Sequence, residues 1–103
     1  MSPIYKVLSR AEWASAQAAG RFDGSAADVA DGYIHLSTAE QLAGTLAKWF
    51  AGRDDLVLLT VDPAALDDVR WEPARGGALF PHAYSSLPCS AVLEARELPA
   101  QEP

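Results

Sequence analysis

The chain has 103 residues, half of them hydrophobic, with eight Lys or Arg against 14 Asp or Glu and a formal charge of −6. That length fits one domain with one modest core, expected over about residues 4–98 of a single unit spanning 1–103, with a flexible tail at 99–103. The acidic balance and the lack of a basic cluster argue against nucleic acid as a partner, because non-specific binding rests on neutralising phosphates. No stretch approaches the ~20 apolar residues of a membrane span, so no membrane partner is expected. The N-terminus lacks the basic start and apolar core of a signal peptide. The one cysteine, Cys89, permits no internal disulfide. A cytoplasmic protein is the expectation, with Cys89 a small buried hydrophobe.

Ile4-Tyr5-Lys6-Val7-Leu8 alternates weakly and predicts a first strand. Ser9 and Glu12 have the capping-box spacing, so a helix is expected to start there, carry Trp13, Ala14, Gln17 and Ala18 on one face, and stop at Gly20. Residues 21–31 read as a long loop. Tyr33-Ile34-His35-Leu36 predicts a short strand, followed at once by a helix capped by Ser37 or Thr38, with Glu40 or Gln41 at the matching position. Leu42, Leu46, Trp49 and Phe50 recur at helical spacing and are expected to face the core, with Gly52 ending the helix. Leu56–Asp62 is the clearest strand, a continuous apolar run. Pro63–Asp68 reads as a turn, Val69–Glu72 as a two-faced strand and Ala74–Ala78 as a glycine-rich loop. Leu79–Tyr84 reads as an extended piece and Ala91–Leu98 as a final strand. Strand, helix, strand, helix and then mostly strands is the order of an α+β domain with two main helices on a mixed sheet.

The only two histidines sit in matched settings, His35 in Gly32-Tyr33-Ile34-His35-Leu36-Ser37-Thr38 and His82 in Phe80-Pro81-His82-Ala83-Tyr84. Each lies in a short apolar run beside hydroxyl side chains, and imidazole is the side chain most ready to move a proton near neutral pH. One polar site fed by both is therefore expected, with their rings within roughly 10 Å, the scale of a ligand pocket. Two core histidines are the alternative. Strand alternation places Tyr33, His35 and Ser37 on one face and Ile34 and Leu36 on the other. The helix start beside them suits an anionic ligand, although Ser37 and Thr38 could equally serve as caps. Arg70, Glu72, Arg75, His82 and Tyr84 fall within fifteen residues. Either Arg70 pairs with Glu72, or the arginines clamp a phosphate or carboxylate while Glu72 or His82 accepts a proton. Trp71 is expected in the core. No phosphate loop, dinucleotide fingerprint or metal-ligand spacing is present, and no metal is expected.

The runs Gly32–Thr38, Leu58–Asp62, Arg70-Trp71-Glu72 and Phe80–Tyr84 together resemble family 952 of the domains of unknown function, a small bacterial family, over roughly Tyr5 to Val92. That family is grouped with the ADP-ribosyltransferase fold, and His35-Leu36-Ser37 is also similar to the H-L-S run of the NAD-using RNA 2′-phosphotransferases. The resemblance implies an ADP-ribosyltransferase-like fold with a cleft for NAD, as cofactor or substrate, or for a related small-molecule nucleotide. The cleft would lie between the first strand and the H-L-S strand. It places Tyr5 and Lys6 where the larger group usually carries a ligand-holding His or Arg, and leaves Glu72 as the candidate catalytic Glu. The Arg-His pair of the 2′-phosphotransferases is missing. The expected function is an enzyme of transferase or glycohydrolase type acting on NAD or an ADP-ribose-like nucleotide. His35, His82 and Glu72 would be catalytic, and Tyr5, Lys6, Tyr33, Ser37, Thr38, Arg70, Arg75 and Tyr84 would bind the ligand. A non-catalytic module holding a nucleotide or protein partner is the second expectation, and a histidine-dependent hydrolase the third.

Overall fold

The computed structural model describes residues 2–74 and 76–103, so Arg75, one of the two candidate clamp arginines, lies outside the described residues. In chain order the elements are β1 (Ile4–Ser9), α1 (Arg10–Ala19), β2 (Arg21–Phe22), α2 (Ala26–Asp31), β3 (Ile34–His35), α3 (Leu42–Trp49), β4 (Leu56–Val61), β5 (Val69–Pro73), β6 (Leu79–Ala83), β7 (Leu87–Pro88) and β8 (Val92–Glu97). Among the described residues this is an α+β arrangement of antiparallel strands and three α-helices, with two short 3-10 turns.

The apolar run Leu56–Val61 becomes the central strand of the sheet β1-β4-β8. Its continuous hydrophobicity reflects cover on both faces. On one, Ile4, Leu8, Val57, Leu59 and Val61 pack with Trp13 and Ala16 of α1, and with Phe22, Ile34, Leu36, Ala83 and Leu87. On the other, Val7, Leu56 and Leu58 pack with Tyr5 and with Leu42 and Leu46 of α3. Strand alternation therefore sends Tyr5 and Lys6 to opposite faces of β1.

Helix α1 starts as its capping box requires. Ser9 Oγ accepts from the Glu12 N–H at 3.0 Å, Glu12 Oε1 accepts from the Ser9 N–H at 2.8 Å, and Gly20 closes the helix in the left-handed region. The segment expected as a loop at 21–31 instead contains β2, paired with β7, and the short helix α2. The same device nucleates α2, since Ser25 and Asp28 bond reciprocally.

At the third helix the capping expectation is met only in part. Thr38 and Gln41 bond reciprocally, at 3.2 and 3.0 Å, but one turn ahead of α3, whose own first residue has no side-chain cap. Trp49 and Trp71, expected in the core, are 69% and 50% exposed. Trp49 is the last residue of α3 and lies outside the cluster that Leu42, Leu46 and Phe50 join. Trp71 lies on the edge strand β5, which has only β6 beside it. The 99–103 tail does not simply fray: the Gly52 N–H donates to Glu102 O and the Gln101 N–H to Arg53 O. Cys89 is only half-buried, its thiol donating to Ala16 O.

The segment after α2 joins two sheets. Ile34 and His35 pair with β6 in the sheet β3-β6-β5, and two residues later Ser37 bridges Tyr5 of β1. This crossing sets the site.

Candidate acid–base site

Residues directly opposite on antiparallel strands point to the same face. His35 on β3 is opposite His82 on β6, and His82 is opposite Arg70 on β5. The three form one row across the sheet, and Glu72 and Tyr84 extend the same face two residues along. Ile34 and Ala83 take the other face, in the core. The two imidazole rings are 5.7 Å apart, centroid to centroid, and nearly perpendicular. The Tyr33 ring packs against both, 4.7 Å from His35 and 4.1 Å from His82, and lies 5.4 Å from Tyr84. The expected approach of the two histidine rings to within roughly 10 Å is met.

A carboxylate holds each imidazole. His82 Nδ1 lies 2.9 Å from Glu72 Oε1, which also accepts from the Tyr84 hydroxyl at 2.6 Å. These two hydrogen bonds, Tyr84 first, pull the Glu72 carboxyl below its ordinary pKa, and the bond to Glu72 pushes the Tyr84 phenol up. His35 Nδ1 lies 2.6 Å from Asp28 Oδ1, and its Nε2 lies 2.9 Å from Asp31 Oδ2. A carboxylate only accepts, so the ring that keeps both contacts carries a proton on each nitrogen. His82 has one carboxylate on Nδ1, and among the described residues nothing bonds its Nε2. The Tyr33 phenol is pushed up by burial and by the charges of Asp31 and Glu72.

Asp28 is the deepest charge of the site, 2% exposed. It accepts from the Ser25 and His35 backbone N–H groups, His35 Nδ1 and Lys6 Nζ. Burial alone would raise its pKa, but the hydrogen bond from His35 and the charge and hydrogen bond of Lys6 outweigh it. The carboxyl is held well below the usual range. Burial pushes the Lys6 ammonium down, against the opposing pull of Asp28. Asp28 and Asp31 were missed as site residues, although Ser25-Ala26-Ala27-Asp28 carries the same capping-box spacing that identified α1.

Several expected ligand contacts sit elsewhere. Tyr5 lies on the far face of β1, against the α3 cluster. The backbones of Tyr5 and Ser37 exchange hydrogen bonds of 2.8 and 2.9 Å, so the seam between the first strand and the H-L-S strand is closed here. Ser37 is buried with its hydroxyl 2.8 Å from Thr45 Oγ1 on α3, and Thr38 is engaged with Gln41. Arg70 does not pair with Glu72. Its Nε and Nη2 bind Asp68 at 3.1 and 3.0 Å, and its guanidinium lies 4.2 Å from the centre of the Tyr84 ring.

Among the described residues, the donor set does not favour the diphosphate of NAD or an ADP-ribose-like nucleotide. Asp28, Asp31 and Glu72 surround the histidines, while Lys6 is paired with Asp28 and Arg70 with Asp68. Among those residues an incoming diphosphate would meet carboxylates before an unpaired cation, whereas a neutral or cationic group would not be repelled.

A family model described as "Protein of unknown function (DUF952)" matches residues 7–95. The chain is similar to Protein CC0527 from Caulobacter crescentus. Its crystal structure is 55% identical with a TM-score of 0.91, the match covering 94% of this chain and 86% of that one. Its solution NMR structure is 54% identical with a TM-score of 0.84, over 96% and 86%. No curated protein matches the chain. No helix among the described residues is long and apolar enough to cross a membrane.

Proposed function

The chain belongs to the DUF952 family, and we propose that its paired histidines form the acid–base site of a hydrolase acting on a small neutral or cationic molecule. One observation carries this reading. Two imidazoles face each other across adjacent strands, 5.7 Å apart, each with Nδ1 on a carboxylate but with different surroundings at Nε2. Glu72 fixes the His82 tautomer and leaves Nε2 as a proton acceptor, the role a buried carboxylate plays for imidazole in hydrolytic triads. His82 Nε2 takes a proton from water as the oxygen attacks the substrate. The doubly bonded His35 gives a proton to the leaving group. The bond broken and the water consumed yield one hydroxyl product and one protonated leaving group, and a proton passed from His82 back to His35 resets the pair. Positioned acid–base groups of this kind contribute about 10²–10⁴-fold each.

The test is a hydrolysis screen over ester, amide, phosphodiester and N-glycoside probes, NAD and ADP-ribose included, followed by His35→Gln and His82→Gln. The expected result is turnover of an uncharged or cationic probe, lost by at least ~10²-fold in each variant. Wild-type turnover in both variants, or no hydrolysis of any probe class, would overturn the reading. A non-catalytic binding module is the second reading. The observation that favours it is the Tyr33 ring packed 4.1 Å from a nearly buried His82, which narrows access to that imidazole. Stabilisation by a probe without turnover is its signature, about 2.7 kcal/mol at 100 times the dissociation constant.

A further inference from the structure

Lys6 is buried inside the main core face, 5% exposed, where a lysine is costly unless fully paired. Its Nζ donates to Asp28 Oδ1 at 3.1 Å and to the His35 backbone carbonyl at 3.0 Å, and lies 2.8 Å from Asp28 Oδ2 in the same ion pair. The same carboxylate, through Oδ1, takes the His35 backbone N–H at 3.1 Å and the His35 Nδ1 at 2.6 Å. Every polar group of His35 except Nε2 is thus held by one buried ion pair. The pair also ties three elements together, β1 through Lys6, α2 through Asp28 and β3 through His35.

The attraction between the two charges is by itself a weak reason for this arrangement. Two charges taken out of water lose hydration that their attraction only roughly restores, and apolar pairs of similar volume often do as well or better. What the ion pair supplies that an apolar pair would not is a fixed proton on Nδ1 and a fixed direction for one imidazole. We propose that Lys6 and Asp28 are positioning residues. Together they lock the His35 ring with Nδ1 protonated and turned inward, so that only the Nε2 edge, beside Asp31, is presented at the site. This inference rests on the acid–base reading of His35, but it is tested by a signal independent of turnover.

The experiment is NMR of the whole chain, ¹⁵N-labelled at histidine, reading which ring nitrogens of His35 are protonated and its Nδ1–H resonance. In the wild type a slowly exchanging Nδ1–H is expected, and its absence overturns the proposal. Lys6→Met combined with Asp28→Leu replaces the pair by apolar groups. The melting temperature is expected to fall, because the Ser25 and His35 backbone N–H groups lose their acceptor, while in the folded variant His35 loses the Nδ1–H signal and moves to the Nε2–H form held by Asp31. A folded double variant that keeps the Nδ1–H signal overturns the proposal, because the pair would then be structural only. If the double variant does not fold, Asp28→Asn retains the side-chain shape. There the resonance is expected to shift and exchange faster, and an unchanged resonance overturns the proposal. Loss of turnover in His35→Gln together with an unchanged Nδ1–H signal in the double variant would remove the positioning role and leave the acid–base reading standing.

Discussion

Acid is expected to unfold this protein through Asp28 more than through any exposed carboxylate. The group is buried, and its folded pKa lies well below the usual range, chiefly through the hydrogen bond from His35 and the charge of Lys6, which overcome the cost of burial. In the unfolded chain an aspartate titrates near ~3.9. As pH falls through that value the unfolded state takes up a proton that the folded state refuses, so the equilibrium moves toward unfolding. The stability supplied by Asp28 is therefore complete above about pH 5 and drains away as pH falls toward the folded pKa. Over that window a group that titrates only in the unfolded state costs up to about 1.4 kcal/mol per pH unit. For a domain this size that is a fall of roughly 5–10 °C in melting temperature per unit. Thermal melts of the wild type and Asp28→Asn at pH 6, 5, 4 and 3 isolate the effect, since every other carboxylate is common to both. The variant should melt lower at pH 6 and lose stability less steeply below pH 4. Parallel curves from pH 5 to pH 3 would refute the assignment of a depressed pKa to Asp28.

Three further outcomes are expected. Leu59→Ala, at a position with no exposure in the centre of β4, should cost about 2–5 kcal/mol in denaturant unfolding, whereas Leu93→Ala, 65% exposed on β8, should cost far less. Ser25→Ala removes the hydroxyl that accepts from the Asp28 N–H and should cost about 1 kcal/mol, detectable as a lower urea midpoint with an unchanged slope. Gly32 closes α2 at φ 86°, so Gly32→Ala should cost about 1–2 kcal/mol from backbone conformation alone, because no atom stands within 4 Å of an added Cβ. A neutral result there in thermal melts would show that the turn can relax.

The α+β class, α1 with its cap and its glycine stop, β1, β4 and β8 were legible in the chain. Each rests on local periodicity or on a reciprocal cap between residues three apart, and such signals do not depend on distant partners. The approach of His35 to His82 was expected from their matched settings, but only the pairing of β3 with β6 decided it. The short helix α2 carried the same cap at Ser25 and Asp28 but only six residues, too few for an apolar stripe to show. The roles of Tyr5, Ser37 and Arg70 were not legible either, because contacts between strands far apart in sequence decide which side of a sheet a residue meets. Tyr5 and Lys6 are neighbours in sequence, yet one packs under α3 and the other reaches Asp28, 22 residues away. Sequence alone determined which residue types could carry proton chemistry and which segments could be strands. Tertiary structure alone decided that Asp28 and Asp31 grip His35, that Glu72 grips His82 rather than Arg70, and that Lys6 is spent inside the protein. The reason is that a buried charge takes its partners from whatever the fold brings within about 3 Å, and sequence distance sets no limit on that.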